Sequence, residues 1–114
     1  MMKLVQIKQL LNLKEVSKER TDYDFTHVFA SDLMSDALAM ISEGEKTIFL
    51  TGLCHEQSLR TAEMLDVPII IYVRDKQPND LLIEKAQLLH IAIYQTNLTM
   101  FEACGRLYEM GLRT

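Results

Sequence analysis

The sequence predicts an α/β fold: a single domain over 1–114 with a mostly parallel sheet of about five strands and helices on both faces. Three observations predict it. From residue 27 onward, short apolar runs alternate with stretches of helical period in the order β-α-β-α-β-α-β-α. Such alternation with short connections implies parallel strands joined by right-handed crossovers. The run Ile69-Ile70-Ile71-Tyr72-Val73 is β-branched and apolar on both faces, the pattern of a central strand covered on both sides. At 114 residues, the chain suits one domain whose core needs no disulfide or metal staple.

Leu4, Ile7, Leu10 and Leu11 share one side of a helix over 3–11, with Lys3, Gln6 and Lys8 opposite. Asn12 stops it. Leu13 to Val16 is apolar at both ends and charged between, as a short edge strand can be. Ser17 to Asp24 has no apolar period and reads as an exposed, mobile loop. His27 to Ala30 is the next strand. The helix after it is expected to bury Leu33, Ala37, Met40 and Ile41, with Ser31 or Asp32 as its cap. Gly44 suits the left-handed position at its end.

Lys46 to Leu50 is a strand, Thr51-Gly52-Leu53 a turn, and His55 to Leu65 a helix burying Leu59, Ala62 and Leu65. Asp66-Val67-Pro68 breaks that helix, because proline has no amide hydrogen and biases the residue before it towards an extended shape. After the central strand, Arg74 to Asn79 is a polar turn. Asp80 to Leu89 is a helix with Leu82, Ala86 and Leu89 inward. Ile91 to Tyr94 is the last strand. The final helix starts near Asn97 or Thr99 and runs to about Met110. Thr99 and Glu102 have capping-box spacing, and Gly111 is a natural stop. Phe101, Cys104 and Tyr108 share one face of it. The seven methionines and this helix read as core plus an interaction face, since methionine surfaces adapt to partners.

Several function classes are excluded by composition. A formal net charge of −4 argues against nonspecific nucleic-acid binding. No apolar run approaches the roughly 20 residues that span a bilayer, and the start lacks a signal-peptide pattern. Cys54 and Cys104 form no Cys-x-x-Cys pair, so no zinc or thioredoxin-type site is indicated. A disulfide between them stays open on the sequence alone. Two reduced, largely buried thiols in a cytoplasmic protein are the expectation.

Candidate site residues cluster at predicted strand ends. Ser31, Asp32, Ser35 and Asp36 form a Ser-Asp-x-x-Ser-Asp junction. They could line a pocket or offer a carboxylate pair to a cation; helix capping and dipole complementation explain the same residues. Thr51 and Gly52 open a strand-to-helix turn that could hold a phosphate on its amides. That turn lacks the glycines and lysine of a P-loop. Arg74 follows the central strand, where a ligand phosphate can be met, and Thr96 follows the last one. A solvated turn and a helix cap are the plainer accounts of these two. Cys54-His55 has no third orienting group, and three dispersed histidines do not make a metal site. No cofactor is implied.

The chain also resembles the DRTGG domain family, which is similar to the amino-terminal domain of HPr kinase/phosphorylase. Four stretches carry the resemblance: MKLVQIKQLLNL with the strand after it, FASDLMSDALAMISEGE, PIIIYVRDKQPNDLLIEKA and IAIYQTNLTMFEACGRLYEM. Where the naming motif belongs, the chain reads Asp24-Phe25-Thr26-His27-Val28. Asp24 and Thr26 match; His27 and Val28 replace both glycines, and with them the backbone freedom of an open loop. The turn Arg74-Asp75-Lys76-Gln77 likewise stands where relatives often carry glycine. The resemblance implies a noncatalytic regulatory or interaction module acting by self-association, as a homodimer, or by docking to a partner protein. The alternative is a sensor of a nucleotide or phosphorylated metabolite at the carboxyl ends of the strands. An enzyme is the third reading; the kinase chemistry of HPr kinase belongs to a phosphate-loop domain that has no counterpart in these residues.

Overall fold

Ile69–Tyr72 lies in the middle of a five-stranded sheet, with all four side chains buried. At roughly 1.5–3 kcal/mol for each large apolar side chain removed from water, this strand anchors the fold. A computed structural model describes residues 1–19 and 23–114. The elements are β1 (Met2–Lys3), α1 (Leu4–Leu10), β2 (Lys14–Ser17), β3 (Asp24–Phe25), β4 (His27–Ala30), α2 (Met34–Met40), β5 (Thr47–Thr51), α3 (Glu56–Met64), β6 (Ile69–Tyr72), α4 (Asp80–Leu89), β7 (Ala92–Gln95) and α5 (Met100–Glu109). A 3-10 turn, Gly44–Lys46, precedes β5.

The sheet order is β2-β7-β6-β5-β4. β4 to β7 run parallel, with Phe49 beside Phe29 and Ile70. β2 is antiparallel to β7 and bulged between Glu15 and Ser17. β1 and β3 pair separately as a two-residue ribbon, too short to leave a period in the sequence. Consecutive parallel strands are neighbours, and their three crossover helices share one face. There, Ala37, Leu59, Ala62, Leu82 and Ala86 pack on Phe49, Ile70 and Ile93. On the other face, Leu4, Ile7, Ala103 and Leu107 from α1 and α5 pack on Ile48, Ile71 and Tyr94. Strand order does not reverse among the four parallel strands. The switch-point crevice in which open α/β sheets hold ligands is therefore missing from these strands.

Local chemistry explains most element ends. The Asn79 side chain accepts the Leu82 amide at 2.9 Å, and the Thr99 hydroxyl accepts the Glu102 amide at 3.2 Å. Asn12, Asp66 and His90 end their helices in the left-handed region. Gly111, at φ +99°, does the same for α5 with no side chain to strain.

Three expectations need correction. In α2, Leu33 and Met40 are 58% and 64% exposed. The buried residue is Ala37, with Met34 and Ile41 packed beside it. The helix has only 7 residues, so its buried stripe is narrower than the apolar pattern suggests. Gly44 does not end it in a left-handed turn; Ile41 closes it in an extended conformation. Gly44 serves close approach instead, because a Cβ there would stand 1.7 Å from the Leu65 carbonyl oxygen. In α5, whose buried side the sequence left open, Phe101 and Tyr108 point to solvent while Ala103 and Leu107 are buried. Finally, Ser17 is a buried strand residue and Asp24 begins β3, so the expected exposed loop is shorter. Its centre, 20–22, lies outside the described residues.

One surface network carries a testable pH dependence. Glu56, at the start of α3, meets Lys85 of α4 at 2.7 Å and Arg60 at 2.9 Å. Lys85 and then Arg60 hold its carboxyl well below the ordinary 4.5, at about 2. A depressed carboxylate stabilises the fold above the unfolded-state pKa, and that contribution is lost as pH falls through the folded one. Melting temperatures of the parent and Glu56→Gln should therefore differ at neutral pH and converge between pH 4.5 and about pH 2. A constant gap across that window would mean that the two cations do not hold the carboxylate.

Candidate functional site

The carboxyl ends of β4, β5 and β6 bring Asp32, Thr51, Gly52 and Arg74 together. After β4, the Ser31 amide still donates to the Leu50 carbonyl at 3.1 Å, and its hydroxyl accepts the Leu33 amide at 2.9 Å. This tight turn sends Asp32 across to β5 instead of letting it cap α2. There, Oδ1 accepts the Gly52 amide at 2.6 Å and the Thr51 hydroxyl at 3.2 Å. Oδ2 faces the Arg74 guanidinium at 3.8 Å. Both ion-pair partners are about half exposed, so the pair itself contributes little; the short amide hydrogen bond is the stronger link. Gly52 has a spatial role here. A Cβ on it would lie 2.4 Å from Arg74 Nη2.

Arg74 and the residue after it reach this place through strained backbone. Arg74 and Asp75 have φ of 58° and 57°, the left-handed region that costs a non-glycine residue roughly 1–2 kcal/mol. Hydrogen bonds hold them there. The Arg74 amide donates to the Leu98 carbonyl and the Asp75 amide to the Thr96 carbonyl, both at 2.9 Å. Thr96 is buried at the base of this arrangement. Its hydroxyl donates to the Leu11 carbonyl at 2.7 Å and accepts the Leu98 amide at 3.2 Å. It therefore ties three segments together, and its hydroxyl is fully engaged within the fold.

Ser35 and Asp36 stand apart from this cluster, exposed in the first turn of α2. Asp32 precedes the helix, so four-residue spacing does not align the two carboxylates. Ser35 borders a concavity of about 500 Å³ between α2 and α3 that Asp32, Gln57 and Arg60 also line. Among the described residues, no three His, Cys, Asp or Glu side chains are grouped to hold a metal ion. A roomier concavity, about 680 Å³, opens at the opposite sheet edge. Asp24, Glu45, Glu63 and Asp66 line it and outnumber Lys46 and His90, so the balance of charge disfavours phosphate there.

The turn after β5 spends its amides internally. The Cys54 amide donates to the Gly52 carbonyl, the His55 amide to Leu53, and the Gln57 amide to the His55 ring. Burial pushes the Cys54 thiol up, with Lys76 opposing it, so the thiolate is disfavoured. Both cysteines are free. The positions of the two lost motif glycines, His27 and Val28, form ordinary strand. The His27 ring contacts the Thr26 hydroxyl at 2.6 Å and Glu43 at 3.1 Å. Val28 is buried and donates to the Arg113 carbonyl. This segment begins β4, at the opposite end of the strand from Asp32.

Two features were missed in the sequence: Asp32 bonding to the next strand, and the left-handed pair at Arg74-Asp75. Glycine in the related turns was the available signal for the second. Neither a protein-family model nor a curated protein matches this chain. Among solved structures, it is similar to the CBS and DRTGG domains of the regulatory region of a Clostridium perfringens pyrophosphatase, complexed with its activator diadenosine tetraphosphate. The superposition has a TM-score of 0.72 at 21% identity and covers 92% of this chain and 45% of that one. The present chain thus spans under half the length of that structure. No helix among the described residues is long and apolar enough to cross a membrane. The strand order, the paired layers and this superposition together give the chain a DRTGG-like fold.

Proposed function

We propose that this single domain is a noncatalytic regulatory and interaction module, acting through self-association or docking to a partner protein. One observation carries the reading. The Asp32 carboxylate already takes the Gly52 amide at 2.6 Å and faces Arg74, the two groups an incoming phosphate would need. An internal anion fills the anion position, and it repels any second one. The similarity to a pyrophosphatase regulatory region supports a regulatory role.

A second reading is favoured by the activator in that structure, diadenosine tetraphosphate: a nucleotide sensor in which ligand displaces Asp32 and meets Arg74, Thr51 and Gly52. A thermal-shift panel of that compound, mononucleotides, phosphorylated metabolites and divalent cations separates the two. Ligand at about 100 times its dissociation constant adds roughly 2.7 kcal/mol, a shift of about ten degrees in a domain of this size. The interaction module predicts a flat panel. A shift that Arg74→Ala abolishes, with the unliganded melting temperature retained, would replace it by the sensor.

A further inference from the structure

We propose that a second copy of this chain docks on the face formed by α5 and the edge of β4, about a two-fold axis passing between Phe101 and Gly105. This deepens the interaction-module reading, on which it rests, by naming the partner and its surface. An apolar groove of about 420 Å³ runs between the two elements, floored by Ala30, Cys104 and Gly105 and walled by Phe101 and Tyr108. Phe101 is 87% exposed. Tyr108 is held in place by Arg113, whose guanidinium lies 3.7 Å from the ring centroid and donates to the Tyr108 carbonyl at 2.9 Å. The face is therefore preformed.

Gly105 indicates what covers it. Glycine inside a helix is less stable than alanine. Nothing among the described residues requires glycine there: Gly105 has no positive φ, and a Cβ would meet none of their atoms within 4 Å. A ring laid against bare helix backbone does require it. Phe101 and Gly105 are one helical turn apart on the same face, a projection beside a recess. A two-fold relation places each copy's phenylalanine on the other's glycine, the reciprocal contact that a symmetric dimer makes.

The area agrees. A stable dimer buries about 800 Å² on each partner. The molecule measures 34 × 28 × 26 Å, so that footprint takes most of one side. α5 alone, about 15 Å long, is too small, and the edge of β4 completes it. The Val28 amide donates outward to the Arg113 carbonyl and the Arg113 amide to the Thr26 carbonyl at 3.4 Å, the two bonds of a bridge opposite His27. Two residues on from Val28, Ala30 turns its backbone to the same side, which Arg113 leaves open.

Sedimentation equilibrium of the parent, Phe101→Glu and Gly105→Gln from micromolar to millimolar concentration tests this. A Cβ at Gly105 meets no described atom in the single copy, and denaturant unfolding of each variant checks that the fold persists. The parent should be a dimer, and each variant should weaken association by at least about 30-fold, the effect of losing an interface hot spot. A monomeric parent, or a dimer that either folded variant leaves unchanged, overturns the proposal. In the latter case self-association survives at another surface; a monomeric parent leaves only docking to a different protein. The nucleotide panel bears on neither result.

Discussion

Gly44→Ala should destabilise the protein by about 3 kcal/mol or more, at the severe end of what overpacking does. The new Cβ would lie 1.7 Å from the Leu65 carbonyl oxygen, 2.8 Å from its carbon and 3.3 Å from the Asp66 carbonyl carbon. All three atoms are backbone, at the end of α3, and cannot rotate away. Either the turn before β5 or the end of α3 has to move, and both feed directly into central strands. Gly52→Ala is the matched control. Its Cβ would crowd the Arg74 guanidinium at 2.4 Å, but a flexible, half-exposed side chain can swing aside, at a cost below about 1 kcal/mol. Urea unfolding at constant m-value measures both. Equal losses for the two variants would mean that the turn does not pack on α3 as described.

Thr96→Val should cost about 2–4 kcal/mol although it nearly preserves shape. Removing the hydroxyl leaves the Leu11 carbonyl and the Leu98 amide without their recorded partner, and each buried polar group left unpaired costs about 1–3 kcal/mol. Arg74→Ala should cost far less, because its ion pair is half exposed. The two variants separate structural from ligand-facing roles at the strand ends. A Thr96→Val protein as stable as the parent would show that water or a small backbone shift satisfies both groups.

The sequence reveals most of the sheet because strand burial is written in β-branched runs. Ile69 to Val73 could be placed at the centre from its side chains alone, and Asp80 to Leu89 matches the observed helix residue for residue. Helix orientation was harder to read. In α5, Ala103 and Leu107 make one apolar stripe, Phe101 and Tyr108 another. A 3.6-residue period detects stripes but cannot say which of two meets the sheet. The rings are the larger apolar groups, yet the small Ala103 allows the closer approach and is the one that is buried. Gly44 shows a different limit, since glycine carries the same letter whether it supplies a left-handed turn or room for a neighbouring backbone. Asp32 was legible as a polar residue at a strand end. Its partner, a main-chain amide 20 residues on, depends on strand adjacency, which sequence order alone left open.

The antiparallel strand β2 has a consequence for how the molecule is assembled during synthesis. Its neighbour is β7, and the Tyr94 hydroxyl reaches Glu15 across 79 residues of sequence. β5, β6 and β7 are each laid beside the strand made just before, so the sheet can lengthen one strand at a time from β4 as the chain emerges. β2 is made earlier than all of them yet can be seated only after β7, so closing its loop is the entropically expensive late event. Until then, the amino-terminal segment and the β7 border it will cover both remain uncovered on the ribosome.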